Sequence, residues 1–175
     1  MKIVRELEQD ERESLLDDYK NHPLIRTHVG PVIMAEHSFI VNLDPGDYRK
    51  IYICANIPNS VDVYRTLYDV VKYIEDHPEF LYQSSQFHPS KQWYSGRLSG
   101  IRVQEYLSYF SQGSRISSLG GCFVLDIAEK QRGEVMDGMH RLVAYGLATH
   151  LNKRRFPVQV FLGTNRSIKD IKYLR

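Results

Sequence analysis

Residues 133–151 read GEVMDGMHRLVAYGLATHL, and the fold turns on the five consecutive residues Asp137, Gly138, Met139, His140 and Arg141 within it. From Gly138 onward, Met139, Leu142, Val143, Gly146, Leu147 and Leu151 recur on one face of a predicted helix. Upstream, CFVLDIAE (122–129) and GEVMDG (133–138) flank KQR, which predicts two strands of a hairpin. A strand that stops at Asp137-Gly138 and turns straight into a helix points the free N–H groups of the first helical turn outward. Those groups and the positive end of the helix dipole favour an anion. Gly138 lets backbone and ligand approach closely. Arg141 offers a fixed fork that matches two phosphate oxygens, and His140 can donate a hydrogen bond or act as acid or base near neutral pH. For Asp137 three uses stand side by side: holding Mg²⁺, accepting a proton from an attacking hydroxyl, or capping the helix.

Working outward, FPVQVFLG (156–163) alternates Val158, Val160 and Leu162 against Gln159 and Phe161, the period of a strand. Gly146 weakens its own helix by about 1 kcal/mol relative to Ala, which predicts close packing of a neighbouring strand there. RKIYICANIP (49–58) alternates Ile51, Ile53, Ala55 and Ile57, a strand ended by Pro58. Ser60 then caps a predicted helix in which Val63, Leu67, Val70, Val71 and Ile74 recur until His77-Pro78. Residues 79–100 lack a clean period and read as a long loop, followed by a short helix around Val103, Tyr106, Leu107 and Phe110. Residues 5–20 read as an exposed helix, and Pro and Gly spacing over 22–48 allows only short strands or loops, with a turn at Asp44-Pro45-Gly46. The expectation is one α+β domain over 1–175, a small mixed sheet with packed helices. In it 1–50 is an accessory segment, 51–162 the core and 163–175 a tail.

The order of hairpin, Asp-Gly-x-His-Arg turn, alanine-containing helix and strand with Pro near its start, over 121–162, resembles the ParB and sulfiredoxin superfamily. The resemblance implies nucleotide phosphates at Gly138, Met139, His140 and Arg141. Sulfiredoxins are similar at this turn but place the catalytic Cys immediately before the His, where this chain has Met139, which cannot serve as that nucleophile. GGC at 120–122 precedes a strand and reads as coincidence. Partition proteins carry an arginine-rich box at this turn and a following helix-turn-helix domain for DNA; about a dozen residues follow the last predicted strand here, so a chromosome-partition role is not expected. The Asp-Gly-x-His-Arg form is most similar to the free-serine kinase branch. That implies ATP or ADP with Mg²⁺, Asp137 as base or metal partner, and His140 and Arg141 as the catalytic groups around the transferring phosphoryl. An upstream acidic residue is implied as well, for which Asp62 is the candidate.

A second group of candidates lies in FHPSKQWYSGRLSGIR (87–102), where His88, Lys91, Arg97 and Arg102 are interleaved with Phe87, Trp93 and Tyr94. Cations among aromatic rings suit substrate binding, with Lys91, Arg97 and Arg102 contacting a small hydroxyl-bearing acceptor as the loop closes. A net charge of +2 from 23 basic and 21 acidic residues argues against a nucleic-acid coat as the main task. Cys54 and Cys122 are widely separated, which gives neither a disulfide framework nor a zinc site and fits a reducing cytoplasm. The charged opening MKIVRELEQDERESLL predicts neither a signal peptide nor a membrane span. The expected function is a kinase acting on a small molecule. The other reading is a nucleotide-binding regulatory or nucleic-acid-associated module that uses the same turn without transferring phosphate.

Overall fold

A computed structural model describes residues 1–21, 25–55, 63–82, 98–111, 121–151 and 158–174. Among these residues seven strands and five α-helices follow one another as β1 (Lys2–Glu6), α1 (Gln9–Asp18), α2 (Gly30–Ile33), β2 (His37–Leu43), β3 (Ile51–Ala55), β4 (Val63–Thr66), α3 (Leu67–Asp76), α4 (Gly100–Ser111), β5 (Phe123–Ile127), β6 (Arg132–Asp137), α5 (Met139–Leu151) and β7 (Val158–Thr164). All seven strands join one sheet in the order β1-β2-β7-β5-β6-β3-β4. It is a mixed sheet: β7 with β5 and β6 with β3 are parallel, and the other neighbours are antiparallel.

Alternation along the strands divides the core in two. On the larger face Ile51, Ile53, Val124, Val160 and Leu162 pack under α3 and α5, whose Val70, Ile74, Leu142, Val143 and Leu147 are buried. On the other face Phe123 and Phe161 stack at 5.0 Å and lie under Val29, Val32 and Ile33 of α2 and the π-helical turn before it, with Leu15, Leu16 and Tyr19 from the α1 segment. Burying apolar side chains on both faces is the main stabilising term of such a layered domain.

The hairpin forms as its sequence predicts. β5 and β6 pair antiparallel, joined by a 3-10 turn at Ala128–Lys130 and by Gln131, whose φ of +50° lies in the left-handed region. The helix after it and the final strand also form where expected. Gly146 is indeed a close-packing point, but its neighbour is a helix and not a strand: a Cβ there would lie 2.7 Å from Val71 Cγ2 of α3.

Four expectations are corrected. Residues 1–50 are no accessory segment. β1 and β2 are sheet members, β2 pairs with β7 along all seven of its residues, and Phe39, Val41 and Leu43 are buried in the main core. The stretch expected to hold only short strands or loops therefore contains a full-length strand. Pro and Gly punctuate only its flanks, at the α2 segment and at the Pro45–Arg49 turn, where Asp44 and Asp47 form a reciprocal capping box. The helix expected from Ser60 begins only at Leu67, because Val63–Thr66 pairs with β3 as a strand and Thr66 is the true cap, accepting from Asp69 N–H at 3.1 Å. Finally, the segment after 163 is no loose tail. Ile171, Tyr173 and Leu174 are buried, and Tyr173 Oη donates to Asp126 at 2.7 Å.

Candidate functional site

The Asp-Gly-Met-His-Arg turn sits where β6 hands over to α5. β6 ends at Asp137 and α5 begins at Met139, so Gly138 occupies the cap position and Asp137 precedes it. Gly138 has φ +83°, which L side chains rarely adopt. There is also no space for one, since a Cβ would lie 2.8 Å from Cys122 Sγ, 2.9 Å from Cys122 Cα and 2.9 Å from Gly121 O. The carbonyl of Gly138 accepts the first helical bond, from Leu142 N–H at 2.9 Å, so the helix starts without slack.

Plain capping is not where the Asp137 carboxylate is placed. Its Oδ2 accepts from Arg141 Nη2 at 3.1 Å across one helical turn, and both side chains are largely withdrawn from water. Charge is thus balanced within the turn, and the Arg141 fork is held by the carboxylate for which the family resemblance implies a base or metal role. The Met139 side chain is half-buried and packs against the main core, so its contribution to a bound anion would be its backbone N–H.

His140 is also engaged. Its Nε2 accepts the backbone N–H of Ser99 at 3.0 Å, across 41 residues of chain. Ser99 stands at the start of α4: its carbonyl accepts from Val103 N–H at 3.0 Å and its Oγ from Arg102 N–H at 3.4 Å. The beginnings of α4 and α5 therefore meet at the turn. The helices pack side by side beyond it, with the Phe110 and Tyr145 rings edge to face at 5.4 Å. Arg102, one of the expected substrate residues, is exposed on the first turn of α4, within one helical turn of Ser99. Lys91 and Arg97 lie outside the described residues, as do Asp62 and the aromatic residues Phe87, Trp93 and Tyr94.

Two neighbours of the turn escaped sequence reasoning. Cys122 belongs to the GGC that reads as coincidence, yet its thiol lies directly beneath the turn and donates to the Gly138 carbonyl at 3.5 Å. Burial pushes this thiol up to about 12, against the pull of the adjacent Arg141 guanidinium and with the Asp137 carboxylate adding to the rise, so it is no thiolate nucleophile. Tyr19, at the end of α1, accepts Gly121 N–H at 3.2 Å and sets its ring against Phe123 at 5.2 Å. Cys122 directly precedes β5, and nothing in GGC signals what the thiol faces.

Among the described residues no three His, Cys, Asp or Glu side chains gather as a metal cage, and no helix is long and apolar enough to cross a membrane. Comparison with protein-family models, with curated proteins and with solved structures finds no match to this chain.

Proposed function

We propose that the chain is a nucleotide-dependent phosphotransferase of the ParB and sulfiredoxin kind, using ATP or ADP to phosphorylate a small hydroxyl-bearing acceptor. The observation that carries the proposal is the strand–Gly138–α5 handover with Arg141 on its first turn. It combines a glycine at φ +83°, a 13-residue helix and a guanidinium fork in one place. The order of β5–β6 hairpin, turn, α5 and β7 supports the same kinship.

In this reading the N–H groups of Met139, His140 and Arg141 donate to phosphate oxygens at the start of α5, and the Arg141 fork turns from Asp137 toward the phosphoryl group. Arg102 reaches the acceptor from the start of α4. Asp137 receives the acceptor's hydroxyl proton as the new O–P bond forms and the bridging P–O bond of the nucleotide breaks. With Arg141 turned away, the Asp137 carboxylate is the residue that would hold Mg²⁺. Bound there, Mg²⁺ supplies neutralisation of charge on the phosphate oxygens.

The ion pair itself favours one other reading, in which Asp137 serves only to hold Arg141 and the turn binds a nucleotide without transferring phosphate. Calorimetric titration with ATP, ADP, CTP and GTP, each with Mg²⁺, tests both. The kinase reading expects one nucleotide to bind, Arg141→Ala to weaken it by ~tenfold or more, and Asp137→Asn to bind but not turn over. Turnover retained in Asp137→Asn removes that residue as base. Absence of binding by all four nucleotides ends the phosphotransferase proposal.

A further inference from the structure

A backbone amide can only donate, so the bond from Ser99 N–H fixes His140 Nε2 as an acceptor. That nitrogen therefore carries no proton, and the ring is the neutral form protonated on Nδ1. An Nε2 in this state cannot donate to a phosphate oxygen. What it does instead is complete Ser99, whose carbonyl and hydroxyl already hold the first turn of α4 and whose residue is buried. The other side of the same helix start is fixed too. Gly100 is pressed so hard against the Phe80 carbonyl that an added Cβ would lie 1.7 Å from that oxygen. The start of α4 is thus clamped between the Pro78–Tyr82 turn and the His140 ring.

We infer that His140 is a positioning residue: it docks the start of α4 onto the turn and so fixes where Arg102 stands relative to Arg141. The docking itself follows from the bond and from burial. Its consequence for a ligand rests on the phosphotransferase reading. Loss of the acceptor would leave a buried amide unsatisfied, loosen the first turn of α4 and spread the two arginines.

The test uses the full chain. A long-range ¹H–¹⁵N correlation spectrum of the wild-type histidine rings is expected to show His140 Nε2 unprotonated, and a protonated Nε2 near neutral pH would overturn the inference without any variant. His140→Ala is expected to lower the hydrogen-exchange protection of the Ser99 amide by ~tenfold or more, and His140→Gln, whose side-chain oxygen restores an acceptor, to recover it. Unchanged Ser99 protection in His140→Ala would also sink the idea. Where Mg²⁺-ATP binds, its affinity should fall in His140→Ala and return in His140→Gln. A glutamine variant that regains Ser99 protection but not affinity would make His140 a direct ligand and overturn the positioning role. Should no nucleotide bind while Ser99 protection still responds, the phosphotransferase proposal fails and the docking stands.

Discussion

Gly138 admits no side chain for two independent reasons, its left-handed backbone and the three atoms within 3 Å of where a Cβ would be. Gly138→Ala should therefore cost about 2 kcal/mol or more, read as a shift in the denaturation midpoint. Trimming the thiol in the same chain, Cys122→Ala, should not restore that loss, because Cys122 Cα and the Gly121 carbonyl remain at 2.9 Å. A full rescue would mean that the sulfur alone sets the limit. The Cys122 thiol, buried and pushed up to about 12, should stay unreactive toward a disulfide reagent at pH 8 in the native protein and react once the chain is unfolded. At this scale the sequence discloses what is local. Asp137, Gly138, His140 and Arg141 form a readable unit because the helix repeat itself brings Asp137 to Arg141. Ser99 and Cys122 do not belong to that unit in sequence, standing 41 and 16 residues from the groups they bond, and only the tertiary fold brings them in.

Elements tell a similar story with a different cause. Val63, Leu67, Val70, Val71 and Ile74 fit a helical period, yet Val63 pairs with Ala55 in the sheet. A single apolar residue at an element boundary satisfies both periods, and the decision falls to the cap. Thr66 Oγ accepts from Asp69 N–H at 3.1 Å and donates to Asp69 Oδ2 at 2.6 Å, so the Thr-x-x-Asp signal marks the real start. Thr66→Ala should lower stability by about 1 kcal/mol, and an unchanged melting profile would deny the cap its role. Gly146 poses the opposite balance. Gly146→Ala gains helix propensity of about 1 kcal/mol but drives a methyl to 2.7 Å from Val71 Cγ2 in a buried, stiff residue. The single variant should be destabilised, and Val71→Ala in the same chain should recover part of the loss. β2 is hidden in the sequence, since its turn-rich flanks mask a run whose neighbour, β7, lies more than 110 residues away.

For the whole molecule, the Asp126 carboxylate is the clasp between sheet and C-terminal segment. Its side chain is buried and accepts from Arg166 Nε at 2.7 Å, Arg166 Nη2 at 2.8 Å, Tyr173 Oη at 2.7 Å and Thr164 Oγ at 2.8 Å. Burial alone would raise this carboxyl. The Arg166, Tyr173 and Thr164 bonds outweigh it and hold the group below the usual aspartate range. A carboxyl lowered in the folded state contributes stability that is fully present above its unfolded value of about 4 and is lost as pH falls through the folded one. Asp126→Asn should thus be less stable than wild type by about 2–3 kcal/mol at pH 7, with the difference shrinking in denaturation experiments below pH 4. A gap that stays constant into acid would show that charge plays no part. The two parallel pairings carry a last consequence, for the order of events during folding. Gly133 must find Ile51, and Phe123 must find Phe161, before the middle of the sheet exists. Contacts so far apart along the chain raise its contact order, placing refolding in the slower, millisecond-to-second range. On a ribosome β2 and β5 each wait for β7, so the hairpin that presents Asp137 and Gly138 emerges well before the sheet can close around it.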